Sequence, residues 1–117
     1  MPQHTVIILR FREETAAEFE HLFEAEVMPL WREYQEKGKF QRALLSRIVE
    51  DHLEEGGRYY MLDLELPGMP EHEEFDEDPR FLSFLKKVRP LQAHEVEGGV
   101  RKPVEPAVWI GEPLFRV

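Results

Sequence analysis

Three charged residues stand in segments whose other residues are mostly apolar, and they are the first candidates for chemistry. Arg10 interrupts the apolar run that begins at Thr5, whereas Asp63 and Glu65 alternate with leucines in the segment Arg58–Leu66. A guanidinium group in a half-buried position can bind an anionic substrate, and a carboxylate in an apolar pocket can act as a base. The alternative is an internal ion pair or a strand end in solvent, because charged strand residues are usually paired or exposed.

A histidine and two large side chains extend this set. His94 falls in the segment Leu91–Glu97, where an imidazole can serve as an acid or a base near neutral pH. Tyr59 and Met61 share the alternation of the two carboxylates and can form the wall of a pocket. For each of them the alternative is packing or hydrogen bonding without a functional role. The catalytic candidates are therefore Arg10, Asp63 and His94, and the ligand-binding candidates are Tyr59, Met61 and Glu65.

Two histidines have carboxylates at a spacing that can hold a metal. His21 and Glu24 are one helical turn apart, and His72 lies near Glu74 and Asp76. Neither group has a third ligand at a fixed distance, and the acidic run lacks the glycine of a calcium loop. A solvated acidic surface is the simpler interpretation, so we expect no metal site. The sequence also has no glycine-rich nucleotide motif and no cysteine nucleophile, so we expect no tightly bound cofactor.

The composition favours one acidic domain. The chain has 117 residues, of which 24 are acidic and 15 basic, and its formal net charge is −9. A surface this negative repels a phosphate backbone, so we expect no nucleic-acid partner. The apolar run Val6–Leu9 is too short for a signal peptide or a membrane span, which predicts a cytoplasmic protein without a membrane partner. A highly charged chain without asparagine is also typical of thermophiles.

Hydrophobic periodicity predicts the elements that position these residues, beginning with a strand over Thr5–Phe11. The next segment predicts a helix in which Thr15 is the N-cap and Glu18 completes a capping box. Its apolar residues recur at helical spacing until Gly38 ends it. Pro29 lies inside this helix, and we expect it to produce a kink, because its ring displaces the carbonyl group four residues earlier.

A hairpin follows the first helix. Phe40–Glu50 and Arg58–Leu66 predict two strands, joined by a loop that contains Glu54–Gly57. The second of these strands alternates clearly, so its residues divide between two faces of the sheet. One face carries Tyr60, Leu62, Leu64 and Leu66, and the other carries Tyr59, Met61, Asp63 and Glu65.

The last third of the chain predicts a second helix and a fourth strand. Asp78 is placed to cap this helix, Pro79 suits its first position, and Pro90 ends it. Leu91–Glu97 predicts the fourth strand. Residues 100–117 predict an extended C-terminal arm, since their prolines rule out a long helix and their apolar residues need a surface on which to pack.

Four strands and two helices in this order predict an α+β fold, a ferredoxin-like β-α-β-β-α-β domain over residues 1–99. In that arrangement the first and third strands are neighbours, so we expect Arg10 to meet Asp63 or Glu65. The fourth strand, with His94, is expected beside the first. The helices can cover only one face of such a sheet, and pairing of two copies would bury the other face. We therefore expect a homodimer.

Two stretches resemble the dimeric α+β barrel superfamily, and within it the antibiotic-biosynthesis-monooxygenase-like branch. Gly57–Glu65 resembles the third strand of that family, and Asp78–Leu85 resembles its entry into the last helix. The resemblance covers roughly residues 5–97. It implies a pocket between the sheet and the helices in each of two paired chains. The superfamily includes oxygenases, haem-degrading enzymes, isomerases and ligand-sensing modules, so fold alone does not imply one reaction.

The chain departs from the residues on which several family oxygenases rely, namely an Asn, a Trp and a His around that pocket. It has no Asn, and Glu65 and Phe75 stand where the Trp and the His would fall. The resemblance implies an enzyme acting on a small apolar or aromatic metabolite, whereas these departures argue against oxygenation of quinols and against haem degradation. A domain that binds a small ligand without converting it, and a purely structural dimer, are the alternatives.

Overall fold

The computed structural model of the chain describes residues 2–50, 57–92 and 110–117, with the side chain of Glu50 excepted. It is an α+β structure with one four-stranded antiparallel sheet. The elements are, in chain order, β1 (Gln3–Phe11), α1 (Glu13–Leu22), a π-helical turn (Phe23–Val27), α2 (Met28–Glu36), β2 (Arg42–Glu50), β3 (Arg58–Leu66), α3 (Met69–Asp76), α4 (Pro79–Val88), a 3-10 turn (Arg89–Leu91) and β4 (Ile110–Arg116).

The strands lie in the order β1-β3-β2-β4. The first and third strands are therefore neighbours, as predicted. The alternation predicted for β3 is also confirmed, because Tyr60, Leu64 and Leu66 are buried towards the helices. We call this the inner face of the sheet. The opposite, outer face carries His4, Val6, Ile8 and Arg10 of β1 and Tyr59, Met61, Asp63 and Glu65 of β3.

The segment predicted as the fourth strand begins differently from the prediction. Leu91 ends the 3-10 turn, and Gln92 forms an isolated antiparallel bridge with Phe11 of β1. Residues 93–97, and with them the candidate His94, lie outside the described residues, as do most of the predicted hairpin loop and the predicted domain boundary at residue 99.

The fourth strand of the described sheet is β4, which lies in the segment predicted as an extended arm. It pairs with β2 and not with β1. Its ladder is irregular where Pro113 faces Ser46, and the register shifts between Leu45 and Ser46. Proline has no N–H to donate, so it is tolerated only at such an interruption or at a sheet edge.

The long helical path from Glu13 to Glu36 contains the distortion expected at Pro29, but in the form of a π-helical turn just before it. An α-helix would place the carbonyl group of Ala25 against the proline ring, where no N–H is present to bond it. A wider turn accommodates that carbonyl group. Phe23 and Val27, at the ends of the π-helical turn, are both 1 % exposed.

The start of this helix differs from the prediction. The capping box at Thr15 is wrong, because α1 begins at Glu13 with Arg12 as the N-cap and without a side-chain capping bond. Thr15 instead lies in the first turn, and its hydroxyl group donates to the backbone oxygen of Leu91 at 2.6 Å. The hydroxyl group that the predicted capping box would use therefore forms a tertiary hydrogen bond instead.

Helix α4 begins as the sequence predicts. Asp78 is its N-cap and accepts from the backbone N–H of Arg80 at 2.9 Å, and Pro79 occupies the first position. The hydroxyl group of Tyr34 donates to the other carboxylate oxygen of Asp78 at 2.9 Å. Hydrogen bonds from the Arg80 side chain, from its backbone and from Tyr34 lower the pKa of Asp78 to about 2.

Asp78 should therefore contribute an acid-dependent part of the stability. Its pKa is depressed in the folded state, so the contribution is complete above its ordinary pKa of 3.8 and is lost as the pH falls towards 2. Asp78→Asn keeps a capping side chain but removes the charge. We expect it to lower the free energy of unfolding at pH 7 by about 1 kcal/mol, because the exposed Arg80 partner is partly screened.

Urea denaturation between pH 2 and pH 7 measures this effect. The free energy of unfolding should fall less steeply between pH 4 and pH 2 in Asp78→Asn than in the wild type. Glu77→Gln, a neighbouring exposed position, is the matched control and should retain the wild-type profile. An unchanged acid slope in Asp78→Asn would show that the cap carboxylate is not responsible.

Candidate functional site

A cavity of about 180 Å³ lies between the inner face of the sheet and the helices. Its walls are largely apolar and come from both layers. For scale, a cavity of roughly 150 Å³ lined by apolar side chains can hold benzene. The space is therefore suited to a single six-membered ring or a branched aliphatic group. Among the lining residues are Ile7, Leu9 and Leu62 of the sheet and Phe23, Phe84 and Val88 of the helical layer.

The cavity is accessible along β1. Ile7 lies on the inner face, opposite Leu62, and yet it is 38 % exposed. In contrast, Leu64 on the neighbouring strand is buried. An exposed inner-face side chain that also lines the cavity places the opening beside β1, which is an edge strand of the described sheet.

One end of the cavity carries a histidine held by two partners. The imidazole Nδ1 of His72 lies 2.7 Å from Gln3 Oε1, and its Nε2 lies 3.1 Å from the carboxylate of Asp76. His72 and Asp76 both line the cavity. Because both ring nitrogens have protein partners, the imidazole is fixed in orientation and presents neither nitrogen to a bound molecule without losing one of these contacts.

The other end of the cavity carries Arg89 and Gln92. Within the described part of the chain, neither side chain makes a hydrogen bond or an ion pair. Their backbone is nevertheless fixed, since Arg12 donates to the backbone oxygens of Gln92 at 3.0 Å and of Pro90 at 3.2 Å. The Thr15 hydroxyl group donates to the backbone oxygen of Leu91, which lies between these two residues. Arg89 and Gln92 thus project from an anchored segment.

The two polar ends are well separated. His72 contacts Gln3 at the start of β1, whereas Gln92 pairs with Phe11 at its end. A strand rises about 3.3 Å per residue, so these ends of β1 lie roughly 25 Å apart. Residues at both ends line the cavity, but a single ring in it cannot contact both polar groups at once.

The candidate residues of β1 and β3 do not line this cavity. Arg10, Tyr59, Met61, Asp63 and Glu65 share a face of the sheet, but it is the outer face, across the sheet from the cavity. Strand alternation groups residues correctly into two faces but does not indicate which face the helices cover. The sheet residues that line the cavity are instead those of the inner face, such as Leu9 and Leu62.

The expected contact between Arg10 and the carboxylates is also wrong. The antiparallel register sets Arg10 opposite Tyr59, with the guanidinium group 5.9 Å from the centre of the tyrosine ring. Asp63 lies four positions further along β3, roughly 13 Å away at the usual rise. Adjacent strands alone do not specify a contact, because the register decides which residues meet.

Strand β2 supplies the cation that pairs with these carboxylates. Arg42 Nη2 lies 3.2 Å from Asp63 and 3.2 Å from Glu65. The imidazole Nε2 of His4 also contacts Asp63. Asp63 and Glu65 thus belong to a partly exposed ion-pair cluster at one end of the outer face, as the alternative of an internal ion pair predicted, and neither carboxylate lines the cavity.

A second polar network lies on the inner face and ties α1 to the sheet. Arg47 Nη2 lies 2.9 Å from Glu20, and the hydroxyl group of Tyr60 donates to the same carboxylate at 2.5 Å. Burial, followed by the bond to Glu20, raises the pKa of Tyr60 well above its ordinary value. None of the three residues lines the cavity, so this network supports the fold beside the site.

Two further properties concern partners. In the described ranges, no group of three or more histidine, aspartate or glutamate side chains is arranged to hold a metal ion. No helix in the same ranges combines the length and apolar character needed to cross a membrane.

Comparison with known proteins identifies no relative. No family model, curated protein or solved structure matches this chain. The function must therefore be inferred from the cavity and from the polar groups at its two ends.

Proposed function

We propose that the chain binds a small apolar or aromatic molecule in the cavity between the inner face of the sheet and the helices. The observation that carries this proposal is an apolar space of about 180 Å³ with an opening beside β1 and a few polar groups at its ends. Small-molecule sites commonly combine apolar walls with a few oriented polar groups. A ring that enters gains roughly 25 cal/mol for each Å² of apolar surface removed from water.

The state of His72 favours binding over catalysis. Proton transfer to a bound molecule requires a free ring nitrogen, whereas Gln3 and Asp76 engage both nitrogens of His72. The His72–Asp76 pair does support a second candidate function, an enzyme in which the imidazole exchanges one partner for a substrate. Recovery of an added ligand in unaltered form after incubation supports binding alone, and a converted product supports the enzyme.

We further propose a ferredoxin-like fold and an arrangement resembling the dimeric α+β barrel superfamily. The adjacent antiparallel strands β1 and β3 and the helices packed on one face support it. A ferredoxin-like sheet has its last strand beside β1, whereas β4 lies beside β2. The bridge between Gln92 and Phe11 does lie at the β1 edge.

Pairing of two copies through the outer face completes this proposal. Val6 lies midway along β1 on that face and is 52 % exposed, and an exposed apolar side chain with apolar neighbours favours an interaction surface. Ile8 and Met61, which face each other beside it, are also apolar. Charged residues flank these apolar side chains. Arg42 and its carboxylate partners lie at one end of the outer face, and Arg10 lies at the other. An apolar patch with a charged rim is typical of a protein interface.

The ligand proposal is tested by filling the cavity. Benzyl alcohol at ten times its dissociation constant should raise the melting temperature of the wild type by several degrees, because binding then adds about 1.4 kcal/mol to the stability. Leu9→Phe places a larger side chain in the cavity and should remove most of this shift while leaving the protein folded.

Leu82→Phe provides the matched control. Leu82 is 48 % exposed on α4 and is absent from the cavity wall, so the same change there should leave the shift intact. An equal shift in the wild type and in Leu9→Phe would locate binding elsewhere. The absence of a shift with any single-ring probe would refute the proposed function.

A further inference from the structure

We propose that the molecule bound in the cavity carries an acidic group, such as a carboxylate, and that Arg89 binds this group. The inference rests on the proposed function and adds the chemical class of the ligand. It concerns the end of the cavity formed by Arg89 and Gln92, where the wall changes from apolar to polar.

The first argument is the charge of Arg89. Five other arginines pair with carboxylates, namely Arg12, Arg42, Arg47, Arg58 and Arg80. Arg89, Arg32 and Arg116 pair with no carboxylate in the described ranges, and of these three Arg89 alone lines the cavity. Its charge is therefore available to a bound molecule.

The second argument is the geometry of the segment that carries Arg89. Bonds from Arg12 and Thr15 to the backbone of residues 90–92 hold this segment against the start of α1. Gln92 adds an amide N–H₂ donor at the same end of the cavity. A guanidinium group and an amide on a fixed backbone form a partly pre-organised site for a carboxylate, so less freedom is lost when the ligand binds.

The opposite end of the cavity is unsuited to an anion. His72 already engages Asp76 through Nε2, and the carboxylate of Asp76 would repel an acidic group placed there. A single ring with a carboxylate is too short to span both ends. The ligand is therefore expected to place its acidic group at Arg89 and its ring between Leu62 and Phe84.

Two probes of similar size test this inference, benzoate and the neutral benzyl alcohol. Calorimetric titration of the full chain at pH 7 should show benzoate binding about five- to ten-fold more tightly, which is the gain expected from one partly exposed charge-assisted contact. Arg89→Gln should remove this preference by weakening benzoate binding, while benzyl alcohol binding stays within about two-fold. Arg89→Lys keeps the charge without the planar fork and should give an intermediate value.

Lys86→Gln makes the same charge change on the exposed side of α4 and should leave both affinities unaltered. Equal affinity of the wild type for both probes, or unaltered benzoate binding in Arg89→Gln, would overturn the inference while the proposed function stands. Loss of both probes in Arg89→Gln would also overturn it, because Arg89 would then support the shape of the cavity. If neither probe binds the wild type, the inference and the proposed function both fail.

Discussion

Arg47→Ala should lower the free energy of unfolding by about 2–3 kcal/mol, the largest loss that we expect from removal of one surface-reaching charge. The side chains of Arg47 and Glu20 are 28 % and 21 % exposed, and their shortest contact is 2.9 Å. Removing one member of a largely buried ion pair leaves the other charge without compensation, which costs more than the pair contributes. In Arg47→Ala, the Tyr60 hydroxyl group is the member of this network that still bonds the Glu20 carboxylate.

Chemical denaturation of single and double variants checks this prediction. Arg58→Ala is the matched control, because Arg58 is 43 % exposed and pairs with an exposed glutamate, so its loss should cost at most about 1 kcal/mol. Adding Glu20→Gln to Arg47→Ala should recover part of the lost stability by removing the unpaired charge. Similar costs for Arg47→Ala and Arg58→Ala, with no recovery in the double variant, would show that the network is not effectively buried.

Val6→Asp should convert the proposed dimer into a monomer at micromolar concentration. The proposed interface contains one copy of the new carboxylate from each chain because it is symmetric, and each carboxylate must lose its hydration there. We expect the dimer dissociation constant to rise by at least about 100-fold, which corresponds to about 2.7 kcal/mol. Sedimentation velocity over a concentration series measures this change directly.

The control for the interface lies on the opposite side of the molecule. Leu82 on α4 is 48 % exposed, close to the 52 % of Val6, so Leu82→Asp matches the substitution in chemistry and in exposure. It should sediment like the wild type. A monomeric wild type would contradict the dimer itself, and dissociation caused by Leu82→Asp but not by Val6→Asp would move the interface to the helical side.

The sequence predicts those parts of the fold that depend on short-range chemistry. The two-residue alternation of β3 divides its side chains between two faces, and Asp78 followed by Pro79 starts α4. Both follow from local geometry, because side-chain direction in a strand and the unpaired N–H groups of a helix start are determined by neighbouring residues. The same reasoning is wrong at Thr15, because its hydroxyl group donates to the backbone oxygen of Leu91, which is distant in sequence.

The fourth strand illustrates a limit of pattern analysis. The prolines of residues 100–117 rule out a long helix, and the sequence therefore predicts only an extended arm without a place in the sheet. Strand β4 tolerates Pro113 because it lies at the edge of the sheet, where an interrupted ladder costs little. Whether a segment lies at an edge is a property of the whole sheet and cannot be inferred from the segment alone.

The candidate site was predicted less well than the fold, for a related reason. Arg10, Asp63 and Glu65 are unusual in their strands, but both faces of β3 carry apolar residues, so composition does not show which face lines a cavity. The residues at the cavity ends gave weaker signals. His72 and Asp76 have the spacing of neighbours on one helical face, which the sequence shows. The role proposed for Arg89 depends on its having no carboxylate partner among the described residues, which the sequence does not show.

A crystal structure of the full chain soaked with bromobenzene tests the central claim most directly, because the anomalous signal of bromine locates the ring without reference to any assumed function. We predict a peak in the cavity, between Leu62 of β3 and Phe84 of α4, with the surrounding side chains close to their present positions. A cavity that stays empty while bromine binds only at the molecular surface would contradict the account.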